Sequence, residues 1–300
     1  MLSVHRLWIL RQVDAHGGVG SAAAALGYTP SAVSQQLRAL ERETGVALVE
    51  KHGRGIRLSP AGRSVLPHVE AALLALTRAE AELASQRAVV AGTVRLGVFP
   101  TFARALLPGI LGALRDRHSR LVVDVQQDEP TEGLRALEAG ARDVVVVYAY
   151  DLVAPAATGV NMCELFTEPI LLVSSATSAA VREDDESGPV ELSSLADAPW
   201  ILPPAGTACH DMVVRACARA GFEPRSVGHT GDFDVVCALA AAGHGVGLVP
   251  ALGLDSRIEG LAAAPTVAPL ARRVFAATRP GNREHPHIAA VLAALGDATA

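Results

Sequence analysis

The sequence predicts an α/β protein in three parts: an N-terminal winged helix-turn-helix, one long linking helix, and a domain of two α/β subdomains. Three features of the chain predict it. Residues 21–41 have the pattern of two short helices around a tight break. Residues 65–83 carry apolar side chains at the spacing of a paired helix. Beyond residue 92, strand-like and helix-like segments alternate, which is typical of a mostly parallel sheet with right-handed crossovers.

The N-terminal segment is predicted to hold three helices. An amphipathic helix spans about Val4–His16 and ends at the two glycines that follow. The small residues of 21–26 form a second, short helix that another helix can cross closely. The third is preceded by Thr29, a good N-cap, and has Pro30 at its first position. Its buried face consists of residues spaced i, i+4 and i+7: Val33, Leu37 and Leu40.

The opposite face of the third helix carries hydroxyl, amide and guanidinium groups and no carboxylate. Such groups donate hydrogen bonds to phosphate oxygens and to base edges. A helix-turn-helix places its second helix in the major groove, so double-stranded DNA is the predicted partner. The residues expected to contact it are Thr29, Pro30, Ser31, Ser34, Gln35 and Arg38.

Two short strands are predicted at residues 47–51 and 55–58, with a turn at 52–54 between them. This hairpin is the wing of a winged helix. Arg54 is at its tip, where a guanidinium gains from the negative charge of the DNA backbone or of a narrow minor groove. A solvated arginine on a loop is the alternative.

The distribution of charge supports a nucleic-acid partner for the N-terminal part alone. Residues 1–63 hold eight Arg and Lys against four Asp and Glu, whereas the remaining residues hold eighteen against twenty-seven. A basic block on an acidic body localises polyanion binding to that block. No apolar run reaches the length of a membrane span, and the N-terminus lacks the apolar core of a signal peptide. The expected location is therefore the cytoplasm.

Ser59 and Pro60 are the predicted N-cap and first residue of the long helix. Its apolar residues recur at intervals of four and three, the spacing of a helix that pairs with another. They are Val65, Val69, Ala72, Leu76, Ala79 and Leu83. Packing of this helix on its own domain is the alternative. The predicted limits are 1–58 for the DNA-binding domain, 59–88 for the linking helix and 89–300 for the C-terminal domain.

The C-terminal domain is predicted to form two α/β subdomains joined by crossing strands, the layout of periplasmic binding proteins. Subdomain I takes about 89–164 and 268–300, because the last segment is expected to return to it, and subdomain II takes about 165–267. Within them, the pattern predicts a single helix over 102–117 and a strand that starts at Pro169.

Ligands of open α/β sheets bind beyond the carboxyl ends of the strands. Several strand ends in this domain lead directly into a helix start, and helix starts attract anions. The residues expected to line such a cleft are Thr101, Phe102, Thr131, Tyr150, Thr207 and Asp232. Simple N-capping is the alternative for each threonine. The acidic residues nearby leave open whether the ligand carries an amine or a carboxylate.

About sixty N-terminal residues resemble the LysR-type transcriptional regulators. The segments 95–98, 241–250 and 273–276 resemble the same family more loosely. The N-terminal resemblance rests on Ala22-Ala23, Leu26, Ala32-Val33-Ser34, Leu37, Leu40-Glu41, Gly45, Leu48 and the run from Glu50 to Gly62.

This resemblance implies a transcriptional regulator, and no enzyme, that is controlled by a small-molecule effector bound between the two subdomains. It implies dimers joined through the linking helix and paired into tetramers on an interrupted inverted repeat, with RNA polymerase as a further partner. In the family, hydroxyl residues matching Thr101, Thr131 and Thr207 commonly bind the effector. Many members carry Gln where this chain has Pro30, which leaves the preferred operator sequence open.

Two alternatives remain open. Cys209 and Cys217 fit a redox-sensing regulator, because peroxide-sensing members of the family use a cysteine pair in this region. A solute-binding or enzymatic α/β protein with an N-terminal assembly module is the alternative from another class. The chain contains neither G-x-S-x-G nor H-E-x-x-H, and its four cysteines lack zinc spacing. No metal or cofactor is therefore expected.

Overall fold

A computed structural model describes residues 2–52, 55–85, 90–153, 159–178, 188–255 and 257–299 of the chain. Arg54 lies outside these residues, so its contact with DNA at the wing tip stays a prediction. Among the described residues, no helix is both long and apolar enough to cross a membrane.

The N-terminal domain consists of α1 (Val4–Ala15), α2 (Val19–Leu26), α3 (Pro30–Thr44) and an antiparallel hairpin of β1 (Val49–His52) and β2 (Gly55–Leu58). Gly27 ends α2 with a φ of 67°, a left-handed conformation that glycine adopts without strain. The Thr29 hydroxyl accepts a hydrogen bond from the Ala32 N–H at 3.2 Å and so caps α3. The apolar faces of the three helices share one core with Leu48 and Leu58.

The linking helix α4 (Pro60–Ser85) starts against the N-terminal domain. Ser59 caps it, because the Gly62 N–H donates to the Ser59 hydroxyl at 3.0 Å. Glycine is needed at this close approach, since a Cβ on Gly62 would lie 2.2 Å from the Leu48 carbonyl oxygen. Val69 is buried, whereas the later apolar residues of the predicted seam are exposed: Ala72, Leu76, Ala79 and Leu83.

Among the described residues, seven strands form the sheet of the C-terminal domain: β3 (Ala91–Val98), β4 (Arg120–Gln127), β5 (Val144–Tyr150), β6 (Asn161–Ser175), β9 (Gly247–Pro250), β10 (Leu261–Pro265) and β11 (Ala271–Thr278). A separate parallel pair is formed by β7 (Pro199–Leu202) and β8 (Arg225–His229). The order in the large sheet is β10-β6-β11-β5-β3-β4, and β9 also pairs with β6. β3 lies parallel to β4 and β5, as the strand–helix alternation predicts.

The helices of this domain are α5 (Pro100–Ala105), α6 (Leu107–Arg117), α7 (Pro130–Glu138), α8 (Ala208–Arg219), α9 (Phe233–Ala241) and α10 (Pro286–Asp297). The prediction of a single helix over 102–117 is wrong, because the helix is interrupted at Leu106, between α5 and α6. Pro108 explains the break, since its ring excludes the carbonyl of residue 104 and it donates no N–H. α10 packs its buried residues Ile288 and Val291 into the core of β3 and β5, so the last segment returns to subdomain I.

β6 begins at Asn161 and not at Pro169, and it crosses between the subdomains. Its first part pairs with β11, and its second part pairs with β9 and β10. Pro169 sits where the partners change, at the position opposite Ala271. A proline has no N–H for a sheet, so it suits either a strand start or such a change of partner, and the sequence pattern does not separate the two.

Candidate functional sites

The outer face of α3 is an open concave surface of donors. It is lined by Thr29, Ser31, Ala32, Gln35, Arg38 and Arg42. Its lining contains no carboxylate, and in the described part of the chain neither arginine forms an ion pair. The Thr29 and Ser31 hydroxyls lie 2.9 Å apart at the helix start, where the N–H groups also point outwards. Five of the six predicted residues thus lie on α3 and the sixth, Thr29, caps it; Ser34 is half-buried beside the concave surface.

The acidic residues of the same helix are turned away from this surface. Glu41 accepts hydrogen bonds from the N–H groups of Leu48 and Val49, at 2.8 and 3.1 Å, and so fixes the start of the wing. Glu43 pairs with Arg6 of α1. The exposed charge on the donor face is therefore positive, which suits a phosphate backbone.

A cavity of about 320 Å³ opens between the two subdomains. Its walls come from the start of α7, the end of β5, the first part of β6 and the start of α8. The lining residues are Glu129, Pro130, Thr131, Leu134, Val147, Tyr148, Ala149, Tyr150, Val153, Met162, Gly206, Thr207 and Ala208. Among the described residues of this lining, Glu129 is the one charged side chain.

Three of the six residues expected to bind a ligand lie together in this cavity, namely Thr131, Tyr150 and Thr207. The other three have different surroundings. The Thr101 hydroxyl accepts from Nη2 of Arg272 at 3.1 Å. Phe102 is buried in the core of subdomain I. Asp232 caps α9 by accepting from the Asp234 N–H at 2.9 Å.

A closed polar cluster, formed by Thr101, Glu168 and Arg272, occupies the junction of the subdomains. The Arg272 guanidinium lies over the rings of Phe99 and Tyr148, 4.9 Å from each centroid. Its Nε donates to Glu168 Oε1 at 2.8 Å, and Glu168 Oε2 accepts from the Leu252 N–H at 2.7 Å. Both charged side chains are almost completely buried. Sequence reasoning missed this cluster, because its members come from β6, α5 and β11.

Two tyrosines present hydroxyls at the cavity in different ways. Tyr148 donates to Glu129 Oε2 at 3.1 Å. Tyr150 is 1% exposed, and its hydroxyl lies beside the Cys209 thiol, a weak hydrogen-bonding group, with no oxygen or nitrogen partner among the described residues. Burial raises the pKa of Tyr150 well above its ordinary value, so the hydroxyl stays protonated and can donate.

The two helix starts at the cavity differ in their caps. α7 begins without a side-chain cap, with Pro130 in its first turn. At α8, Thr207 accepts from the His210 N–H at 3.2 Å and donates to the Pro204 carbonyl at 2.8 Å. Thr207 therefore caps its helix, which was the alternative to effector binding, and it also lines the cavity.

Asp128, just before α7, is buried and not part of the cavity lining. Arg142 holds its carboxylate with two hydrogen bonds, of 2.7 and 3.1 Å. Gly97 leaves room for it, because a Cβ there would lie 2.6 Å from Asp128 Oδ2. The pair fixes the loop from which α7 starts, and so positions Glu129.

The cysteines suggested for redox sensing are both buried on α8. Burial raises the pKa of the Cys209 thiol to about 11 and that of Cys217 to about 12. Eight residues of helix separate them by roughly 12 Å along the axis. A disulfide needs Cα atoms within about 7 Å, so this conformation does not allow the pair to bridge.

Two family models match the chain, one over the N-terminal domain and one over the C-terminal domain. A family model described as a bacterial regulatory helix-turn-helix protein of the lysR family matches residues 4–63, and the LysR substrate binding domain matches residues 87–300. A probable hydrogen peroxide-inducible genes activator of Mycobacterium xenopi is 37% identical over 154 residues, which cover 51% of this chain and 79% of the relative. The transcriptional dual regulator GltC of Bacillus subtilis is 28% identical over 258 residues, which cover 85% of this chain and 83% of the relative.

Solved full-length structures share the fold. An OxyR mutant of Corynebacterium glutamicum matches with a TM-score of 0.60 at 25% identity, covering 99% of this chain and 92% of the other. Full-length BenM matches with a TM-score of 0.59 at 20% identity, covering 98% and 96%. The predicted fold class is thereby confirmed. The chain belongs to the LysR family of bacterial transcriptional regulators, with a helix-turn-helix followed by a substrate-binding domain.

Proposed function

We propose that this LysR-family regulator binds an interrupted inverted repeat of double-stranded DNA and acts by binding, without catalysis. The observation that carries the proposal is the donor face of α3, where two arginines without ion pairs in the described chain lie beside hydroxyl and amide groups. Two such helices, one from each protomer, would enter successive major grooves of the operator. Because its target is the chromosome, we place the protein in the cytoplasm.

The exposed seam of α4 supports self-association. Ala72, Leu76, Ala79 and Leu83 form one apolar face beyond the N-terminal domain, and Leu83 is 71% exposed. A heptad-spaced face of this kind is buried by a second helix. A tetramer made of two such dimers, and contact with RNA polymerase, are further proposals that rest on the family.

Salt-dependent binding of a DNA fragment tests the DNA function. The logarithm of the binding constant for the DNA upstream of its own gene should fall linearly with the logarithm of salt concentration. Arg38→Ala should cost about 1–3 kcal/mol on the operator if it contacts a base, whereas an equal loss on every sequence would make it a phosphate contact. Arg115→Ala, an exposed arginine on α6, is the control. Failure to bind at low salt would refute the proposal.

We further propose that the cavity between the subdomains is the effector site, with Thr131, Tyr150 and Thr207 among its contacts. Helix α7 then offers a route to the DNA-binding domain. Its first turn lines the cavity, and at its last turn the Glu138 carbonyl accepts from Arg11 of α1 at 3.1 Å. An effector that moves α7 would change how the N-terminal domain is held, and so how the assembly bends DNA.

Peroxide sensing is a second candidate function, favoured by the names of several relatives, including the Mycobacterium xenopi protein. It would need Cys209 to react while its pKa is raised by burial and Cys217 is out of reach. Hydrogen peroxide should then change operator binding of the parent protein and leave the Cys209→Ser variant unresponsive. An unchanged response in Cys209→Ser, or none in either protein, would end this candidate.

A further inference from the structure

The start of α7 carries opposite charges side by side. Glu129 is the residue just before the helix, and its carboxylate lines the cavity. Pro130 has no N–H, so the free N–H groups of the first turn are those of Thr131 and Glu132, and no side chain caps them. A helix start has a partial positive charge of about half an elementary charge, so this one helix end offers an anion site directly beside a cation site.

The start of α8 faces the same cavity and adds to the anion site. Thr207 and Ala208 are part of the lining. Thr207 takes up the His210 N–H, and the N–H groups before it in the first turn have no partner within the helix.

The buried hydroxyl of Tyr150 is an independent sign that a polar ligand group belongs here. Tyr150 lines the cavity, and its hydroxyl lies beside the Cys209 thiol, with no oxygen or nitrogen partner among the described residues. A thiol sulfur is a weak hydrogen-bond acceptor. A ligand oxygen that accepts from the hydroxyl would replace this weak contact by a stronger one.

The rest of the wall is apolar. Leu134, Val147, Val153 and Met162 surround a space of about 320 Å³, at the lower end of the range for small-molecule sites. This space fits a short aliphatic or aromatic group. An additional charge would be buried against these side chains without a partner.

We propose that the effector is a small α-amino acid with an apolar side chain. Its carboxylate binds the two helix starts and the Tyr150 hydroxyl, its ammonium group binds Glu129, and its side chain packs on Leu134, Val147 and Met162. An α-amino acid carries its ammonium and carboxylate groups on one carbon atom, and the start of α7 presents the complementary groups side by side. The inference rests on the proposed effector role of this cavity.

Other ligand classes match fewer of these features. A carboxylic acid without an amine would place a second negative charge beside Glu129 with no cation between them. An amine without a carboxylate would meet two helix starts of its own sign. A sugar would place its hydroxyl groups against the apolar wall, where they have no hydrogen-bond partners.

Calorimetry on the full chain with three matched probes tests the proposal. L-leucine should bind, whereas L-leucinamide lacks the carboxylate and 4-methylpentanoate lacks the amine, so both should bind at least about tenfold more weakly. In Glu129→Gln, leucine affinity should fall about tenfold while 4-methylpentanoate affinity stays equal or rises. Glu132→Gln removes a carboxylate from the same helix turn outside the cavity lining, and should bind leucine as the parent does.

The outcomes separate this inference from the proposed function. Equal binding of leucine and 4-methylpentanoate, or equal loss of both in Glu129→Gln, would overturn the ammonium site. Absence of binding by leucine, valine, methionine and phenylalanine would overturn the amino-acid class. Because operator binding is measured without any ligand, the DNA-binding function would survive either result. Loss of operator binding would refute that function and leave the calorimetric result standing.

Discussion

The closed polar cluster and the cavity share Tyr148, and they differ in whether their polar groups are satisfied by the protein itself. In the cluster, Arg272 and Glu168 are buried, and the hydrogen bonds run to Thr101 and to the Leu252 N–H. The cavity instead presents an uncapped helix start and a tyrosine hydroxyl that has only a thiol, and no oxygen or nitrogen partner, beside it in the described chain. Polar groups that the protein satisfies itself serve stability, and those it leaves open are available to a ligand.

This difference changes the role of Thr101. The family resemblance implies that its hydroxyl binds the effector, yet here the hydroxyl accepts from Arg272 and its residue is 8% exposed. Arg272, which lies over the rings of Phe99 and Tyr148, takes part of the space at the junction. We infer that ligand contacts in this chain are concentrated on the α7 and α8 side of the junction.

The largest expected effect is the loss of Arg272. Arg272→Leu should lower the free energy of unfolding by about 3–5 kcal/mol, because Glu168 is left buried without its partner. Arg273→Leu, on the next residue, should cost less than about 1 kcal/mol, since its pair with Asp151 is long and exposed. Urea unfolding of the full chain measures both. The double change Arg272→Leu with Glu168→Met should recover part of the loss, and its failure to do so would argue against the unpaired charge as the cause.

A smaller effect is expected where α7 meets the N-terminal domain. Gln12 is buried on α1, and in the amide orientation that satisfies both groups it donates to the Ala139 carbonyl at 3.1 Å and accepts from Trp8 Nε1 at 3.2 Å. Gln12→Met should cost about 1–2 kcal/mol by leaving both groups unpaired. Hydrogen exchange should then become faster in α1 and around residue 140. Asp14→Asn, exposed on the same helix, is the control, and equal exchange in both variants would remove this contact from the proposed route.

These contacts also mark what the sequence could predict. The donor face of α3 was predictable, because its cap, its buried face and its polar face all follow from the fifteen residues of the helix and the one residue before it. The strand–helix order of the C-terminal domain follows equally from local periodicity. The polar cluster was not predictable, because Arg272 is 104 residues away from Glu168 in the sequence and 171 residues away from Thr101. A threonine at a helix start has the same pattern whether its hydroxyl faces a ligand or an arginine.

Two threonines provide a direct comparison of the closed and open regions. Thr101→Val should lower stability by about 1 kcal/mol through the lost hydrogen bond to Arg272, and leave ligand affinity unchanged. Thr131→Val should leave stability within about 0.5 kcal/mol, because its side chain is exposed, and weaken ligand binding. Thermal unfolding and calorimetry measure the two quantities. If ligand affinity were lower in Thr101→Val, Thr101 would be part of the effector site.

The smallest effect on stability is expected at Tyr150. Tyr150→Phe removes a buried hydroxyl whose neighbouring polar group is the weakly bonding Cys209 thiol, so the free energy of unfolding should change by less than about 1 kcal/mol. Ligand affinity should fall, because the proposed ligand accepts a hydrogen bond from this hydroxyl. Tyr148→Phe is the matched comparison, since it removes a hydroxyl that already donates to Glu129. If Tyr150→Phe destabilised the chain by more than about 1 kcal/mol, the hydroxyl would have a structural partner, and the distinction between closed and open regions would fail at this residue.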